Sequence, residues 1–193
     1  MRKLTVINHL TLDGVMQAPG RPDEDPRDGF SRGGWAQAGN DQVMADFMGV
    51  GRGGEPGALL LGRRTYLQFY GFWPHQPDNP YTESLNKQQK YVASRTLTEP
   101  LPWQNSTLLP GDAAAAVAEL KQAPGPDLLV LGSGELIGSL RQRALVDEYV
   151  LMIHPLILGA GRRLFPEGTP ADLQLTETVS TTTGVIIARY QAR

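Results

Sequence analysis

Three short stretches set glycine, serine, threonine and arginine where an apolar run stops. They are Gly132-Ser133-Gly134 after Leu128–Leu131, Gly62-Arg63-Arg64-Thr65 after Ala58–Leu61, and Ser94-Arg95-Thr96 closing Lys90–Ser94. Glycine lets the backbone turn sharply and lets a ligand approach where a Cβ would stand. A helix beginning at Glu135 presents unpaired N–H groups and a partial positive charge at the strand end, which suits a phosphate. The planar fork of arginine matches phosphate oxygens, and the Thr65 hydroxyl can cap a helix or donate to a phosphate. The Gly132–Gly134 turn lacks the full spacing of the dinucleotide fingerprint and of the P-loop. The set of three strand ends, more than any single turn, therefore points to a polyanion-binding rim.

The elements that must hold this rim follow from apolar patterning. Leu4–Leu12 reads as a strand ending at the turn pair Asp13-Gly14. Gln17–Gly34, dense in Pro, Gly, Asp and Arg, reads as a surface loop without a core. Asn40–Val50 reads as a helix capped by Asn40 or Asp41, with Val43, Met44, Phe47 and Met48 on one face and Gly51–Gly54 closing it. Arg63–Tyr70 begins a helix, and Gly71–Pro80 reads as a loop. Asp112 caps the alanine-rich helix Ala113–Gln122, and Glu135–Arg143 is a further helix. Glu148–Ile153 and Leu156–Leu158 are apolar runs, and Leu173–Val179 pairs with Val185–Tyr190 as a hairpin across Thr181–Gly184. Alternating strands and helices, with apolar runs buried on both faces, predict an α/β fold. The expected architecture is a three-layer, doubly wound, mostly parallel sheet with antiparallel C-terminal strands, forming one domain over residues 1–193.

Composition narrows the classes of function. The 193 residues carry 18 basic and 20 acidic side chains, a net charge of -2, so no basic excess points to nucleic acid or a membrane surface. Cysteine is absent, which excludes thiolate chemistry and sulfur-ligated zinc, and His9, His75 and His154 match no metal-ligand spacing. We expect no metal. The N-terminal apolar run is too short for a secretory signal, and no run approaches the ~18 residues of a membrane span. A cytoplasmic protein is expected.

The order of TLDG at Thr11–Gly14, then LLLGRRTY, VASRTL, LVLGSGELIGSL and HPLILGAGRRLF resembles the riboflavin-biosynthesis reductase domain. That domain belongs to the dihydrofolate-reductase-like superfamily, and the likeness is to its stand-alone bacterial members, over Leu4 to Phe165. The resemblance implies NADPH as cofactor, with Gly62, Arg63, Arg64 and Thr65 facing its phosphates and Ser94 and Arg95 at the adenosine 2′-phosphate. It implies that Gly132, Ser133, Gly134, Glu135 and Leu136 wrap the pyrophosphate. The nicotinamide would lie near His9, Asp13 and Met16, close to Leu131. A homodimer is also implied.

The substrate side is less defined. Asp13 is either a turn residue or a catalytic group, and Asp46 either faces water or stands where dihydrofolate reductases recognise a pterin. His154 reads as a histidine at a strand bend. Trp35, Phe72 and Trp73 could stack on a planar heterocycle or anchor their loops. In Gly159–Arg163 no helix follows the glycines, so a dipole site is not expected there, although the resemblance lets an arginine bind a substrate tail. The expected activity is hydride transfer from NADPH to a small planar heterocycle, an aminopyrimidine of the riboflavin pathway or a pterin. The alternatives are a non-catalytic NADP(H)-binding protein that kept the cofactor cleft, and a flavin-binding or structural role.

Overall fold

The computed structural model describes residues 1–48, 57–76, 80–166, 168 and 170–193. Its strands are β1 (Leu4–Thr11), β2 (Ala58–Gly62), β3 (Lys90–Ala93), β4 (Ser106–Leu109), β5 (Leu128–Leu131), β6 (Glu148–His154), β7 (Leu173–Ser180) and β8 (Ile186–Ala192). The helices are α1 (Gln42–Phe47), α2 (Arg63–Phe72), α3 (Pro80–Lys87), α4 (Ala113–Gln122) and α5 (Gly134–Gln142). The strands form an eight-stranded sheet in the order β4-β3-β2-β5-β1-β6-β8-β7. The expected α/β class, mostly parallel with antiparallel C-terminal strands, is what the chain adopts. Its contacts group into two compact units, Met1–Thr5 with Gly54–Asp147, and Val6–Gly53 with Glu148–Arg193.

The first unit is built on parallel pairing of β4 with β3, β3 with β2, and β2 with β5. Crossover helices between parallel strands cover both sheet faces, so β2 is apolar at every position and Ala58, Leu59, Leu60 and Leu61 are all buried. Leu59 and Leu61 pack with Tyr66, Leu85, Val92 and Trp103 into one cluster. The Asp112 carboxylate accepts from the Ala114 and Ala115 amides, which fixes the start of α4 as its sequence indicates. The same cluster corrects the loop expected at Gly71–Pro80. There α2 runs on to Phe72 and a 3-10 turn, Trp73–His75, follows, because Phe69, Tyr70 and Trp73 all pack against the buried aromatics. Residues 77–79 of that expectation lie outside the described residues.

The second unit pairs β6 with β8 and β8 with β7, all antiparallel, with a bulge between Leu175 and Glu177. Met44 of α1 packs with Val150, Met152, Val185 and Ile187, and Phe47 and Met48 lie against that cluster as their spacing indicates. Asp41 is the N-cap, accepting from the Met44 amide and also from the Thr182 amide and hydroxyl. Val50 and the closing Gly51–Gly54 of the expected helix lie outside the described residues. The Gln17–Gly34 segment departs from expectation. It has a core of its own, in which Val15, Ala18 and Phe30 are buried and Trp35 and Leu158 pack on them. Ala18 and Phe30 come from the segment itself, and Val15, Trp35 and Leu158 close the cluster from outside it. Leu156–Leu158 is not a strand; Leu156 instead accepts one bond from the Leu12 amide.

Candidate functional site

Within the first unit, β2 and β5 run side by side with Ala58 opposite Leu128 and Leu60 opposite Val130. Matching registers bring their glycine turns to the same edge of the sheet. Gly132 and Ser133 both take left-handed backbone angles, at φ of 60° and 65°. For serine that conformation is strained, and it persists because the side chain is used. Ser133 Oγ accepts from the Gly62 amide at 2.9 Å and donates to Thr65 Oγ1 at 3.0 Å. One hydroxyl therefore ties the first turn of α2 to the entry of α5. Its O–H is committed to Thr65, so Ser133 braces the two turns against each other.

What faces outward from the rim is backbone and arginine. The α5 ladder starts with the Ile137 amide bonding to the Ser133 carbonyl, so the amides of Gly134, Glu135 and Leu136 have no partner within the helix. Arg63 and Arg95 are exposed and enter no ion pair among the described residues. Arg64 differs, reaching Glu135 Oε1 at 2.8 Å in a pair exposed enough to contribute little stability. Ser94 is buried, and its Oγ accepts from the Thr96 and Leu97 amides, holding the turn that presents Arg95. Leu136 is buried and Leu131 half-buried beside these groups. The rim is thus a set of amide donors and guanidinium groups suited to phosphate oxygens.

Within the second unit, Asp13 and His9 sit in different surroundings. The Asp13 carboxylate accepts from Thr11 Oγ1 at 2.5 Å, Gly159 N at 2.9 Å and Leu158 N at 3.2 Å. These bonds, the Thr11 hydroxyl above all, hold its carboxyl down to about 2. It is ionised throughout the neutral range and pins the β1 turn to the 158–159 backbone. Met16 is half-buried nearby in sequence, its amide bonded to the Arg162 carbonyl. Asp46 is exposed on α1, where Oδ1 accepts from Gln42 Nε2 at 2.7 Å.

His9 forms a contact that the sequence reading missed. Its Nδ1 lies 2.8 Å from Nε2 of His154, 145 residues away. Burial, reinforced by the neighbouring imidazole, pushes His9 down to about 4, and burial also lowers His154. Both rings are neutral at pH 7, one donating N–H to the other. Trp35 meets His154 edge-on at 5.3 Å, and its Nε1 donates to the Gln17 carbonyl. Gly39 lies against the same ring; a Cβ there would stand 2.5 Å from His154 Cε1. Trp35 is thus an anchor, as is Trp73, which packs edge-on against Tyr81 and Phe72.

Among the described residues, no group of three or more His, Asp or Glu side chains is arranged to hold a metal ion, and no helix is long and apolar enough to cross a membrane.

The model of the RibD C-terminal domain matches residues 2–187. The uncharacterized protein YyaP of Bacillus subtilis (strain 168) is 29% identical over 98% of this chain and 94% of its own length. Among solved structures, a candidate riboflavin biosynthesis protein from Shewanella sp. PV-4 superposes with a TM-score of 0.69 at 22% identity, covering 100% of this chain and 99% of that one. A pyrimidine reductase-like protein from Corynebacterium diphtheriae gives 0.67 at 16% identity, covering 100% and 92%. At these identities the two structures establish the shared dihydrofolate-reductase-like fold.

Proposed function

This chain belongs to the family of RibD C-terminal domains, and on that premise we propose that it is an NADPH-dependent reductase of a small planar heterocycle, an aminopyrimidine or a pterin. The observation that carries this reading is the Ser133 tie between the two glycine turns of the first unit. It holds the start of α5 beside the start of α2, with Arg63 and Arg95 exposed at the neighbouring strand ends, and that donor set fits a dinucleotide carrying an extra phosphate. In this reading the amides of Gly134, Glu135 and Leu136 hold the pyrophosphate, and Arg63 and Arg95 neutralise the 2′-phosphate. Gly132 takes a left-handed φ of 60°, which glycine adopts without strain, so the chain can turn sharply at the end of β5.

When bound, the reduced nicotinamide supplies a hydride to the acceptor. The chain's own work is to orient and to keep water away. His9 and Met16 are assigned to the nicotinamide side, and Asp13 holds the turn that follows β1, between them. With Asp13 ionised, the group of this unit placed to hold a proton is the neutral His9–His154 pair, in which one ring donates its N–H to the other between His9 Nδ1 and His154 Nε2.

A second reading, a nucleotide-binding protein without turnover, is favoured by one observation. Asp13, held at about 2, offers no protonated carboxyl at neutral pH. The two readings separate in one experiment, in which NADPH is incubated with the protein and a panel of pteridines and aminopyrimidines. Loss of reduced-nicotinamide absorbance with a member of the panel supports the reductase. Tight NADPH binding with no oxidation by any member supports the second reading.

A further inference from the structure

Far along the chain from the glycine turns, the second unit carries an open pocket of about 290 Å³ where the Gln17–Gly34 segment meets residues 158–162. Its walls include Gln17, Arg27, Asp28, Phe30, Arg32 and Arg162. It is a built site. Gln17 braces it, with Nε2 donating to the carbonyls of Asp25 and Arg27 and Oε1 accepting from the Arg162 amide. Gly161, at φ 117°, forms part of the wall, and a Cβ there would stand 2.8 Å from Phe30 Cε2 and 2.7 Å from Val15 Cγ1. Only glycine lets the backbone lie against the ring. Asp28, also on the wall, adopts a left-handed φ of 59°, a strained choice for a residue other than glycine.

The charges in this cavity can be counted. Asp25 clamps Arg27 through both oxygens, at 2.6 and 2.5 Å. Asp28 Oδ2 accepts from Arg162 Nε at 3.2 Å and Nη2 at 2.9 Å. Arg32 is exposed at the wall and has no ion pair among the described residues. Three guanidinium groups against two carboxylates leave one positive charge, in a chain whose net charge is -2. Phe30 and Leu158 supply the apolar face.

We propose that this cavity binds a small organic monoanion, a carboxylate on a planar apolar body, with Arg32 taking the carboxylate and Phe30 the body. The size is at the lower end for ligand sites, which fits a single ring with one substituent. A phosphate ester would bring nearly two charges against one uncompensated arginine. The inference is independent of the cofactor reading, because every residue it uses belongs to the second unit.

The test is an amide-resolved NMR titration of the whole chain with benzoate, benzamide and phenyl phosphate. Benzoate should shift the Phe30, Arg32 and Gly161 amides saturably, benzamide should bind at least tenfold more weakly, and phenyl phosphate no more tightly than benzoate. Arg32→Gln, an exposed and fold-neutral change, should weaken benzoate at least fivefold, while Arg64→Gln in the other unit leaves it unchanged. The proposal is overturned if those amides do not respond, if benzamide matches benzoate, or if phenyl phosphate binds more tightly. It is equally overturned if Arg32→Gln has no effect or if Arg64→Gln weakens benzoate as much. NADPH titration of Arg32→Gln reads the first unit separately, so failure here and failure of the cofactor reading remain distinct.

Discussion

Ser133 Oγ accepts from the Gly62 amide at 2.9 Å, so a residue in the left-handed region at the end of β5 holds the turn at the end of β2. Serine is unusual in that conformation, and its hydroxyl is the reason it is tolerated. Ser133→Ala removes both hydroxyl bonds and keeps the strain, and is expected to lower stability by about 1–3 kcal/mol. Ser133→Gly relieves the backbone and should cost less. Both should weaken NADPH at least tenfold, since the first amides of α5 lose their fixed direction. Denaturant melts and cofactor titrations check this; an alanine variant as stable as the parent would contradict it.

Gly39→Ala tests the packing around the histidine pair. Its Cβ would fall 2.5 Å from His154 Cε1 and 2.8 Å from Val185 Cγ2, and both neighbours are buried. Overpacking of this kind costs about 1–3 kcal/mol. The imidazole signals of His9 and His154 should move together in NMR spectra, while the β2 and β5 amides stay in place.

His9 and Asp13, both with displaced titration, act in separate pH windows. His9 titrates near 4 in the folded chain against an ordinary 6.5. The unfolded chain therefore binds that proton more readily, and the contribution of neutral His9 is complete above 6.5 and lost as pH falls toward 4. His154, lowered by burial, adds to the same window. Asp13, lowered from 3.8 to about 2, contributes fully above 3.8 and loses its part only below that. Unfolding midpoints measured across pH should thus fall in two stages. His9→Gln should flatten the upper stage alone, and an unchanged upper stage would count against the pairing.

The legible parts of this molecule were those written in neighbouring residues. The run Leu128–Leu131 followed by Gly132-Ser133-Gly134 specifies strand, turn and helix within ten positions, and Asp112 before four alanines specifies a cap. The same local logic puts Arg63 and Arg95 at strand ends, where both are exposed. The His9–His154 contact had no such signature, because each histidine lies on its own strand, 145 residues apart, and only the fold brings them together. The core under the 17–34 segment was hidden for a related reason. Ala18, Phe30 and Trp35 are diluted among Pro, Gly and charged residues, and no periodicity marks them as a cluster. Asp13 could be seen as a strand-end residue, but its three donors, two of them amides at 158 and 159, could not.

The most direct test of the central claim is the affinity for NADPH and NADH of the parent chain, Arg63→Ala and Arg95→Ala, measured by titration at one ionic strength. Both arginines are exposed, so the variants should fold as the parent does. The parent should bind NADPH at least tenfold more tightly than NADH, and each variant should lose most of that preference while its NADH affinity barely changes. Equal losses for both cofactors, or a parent chain that binds neither, would contradict the assignment of this rim to the 2′-phosphate of NADPH.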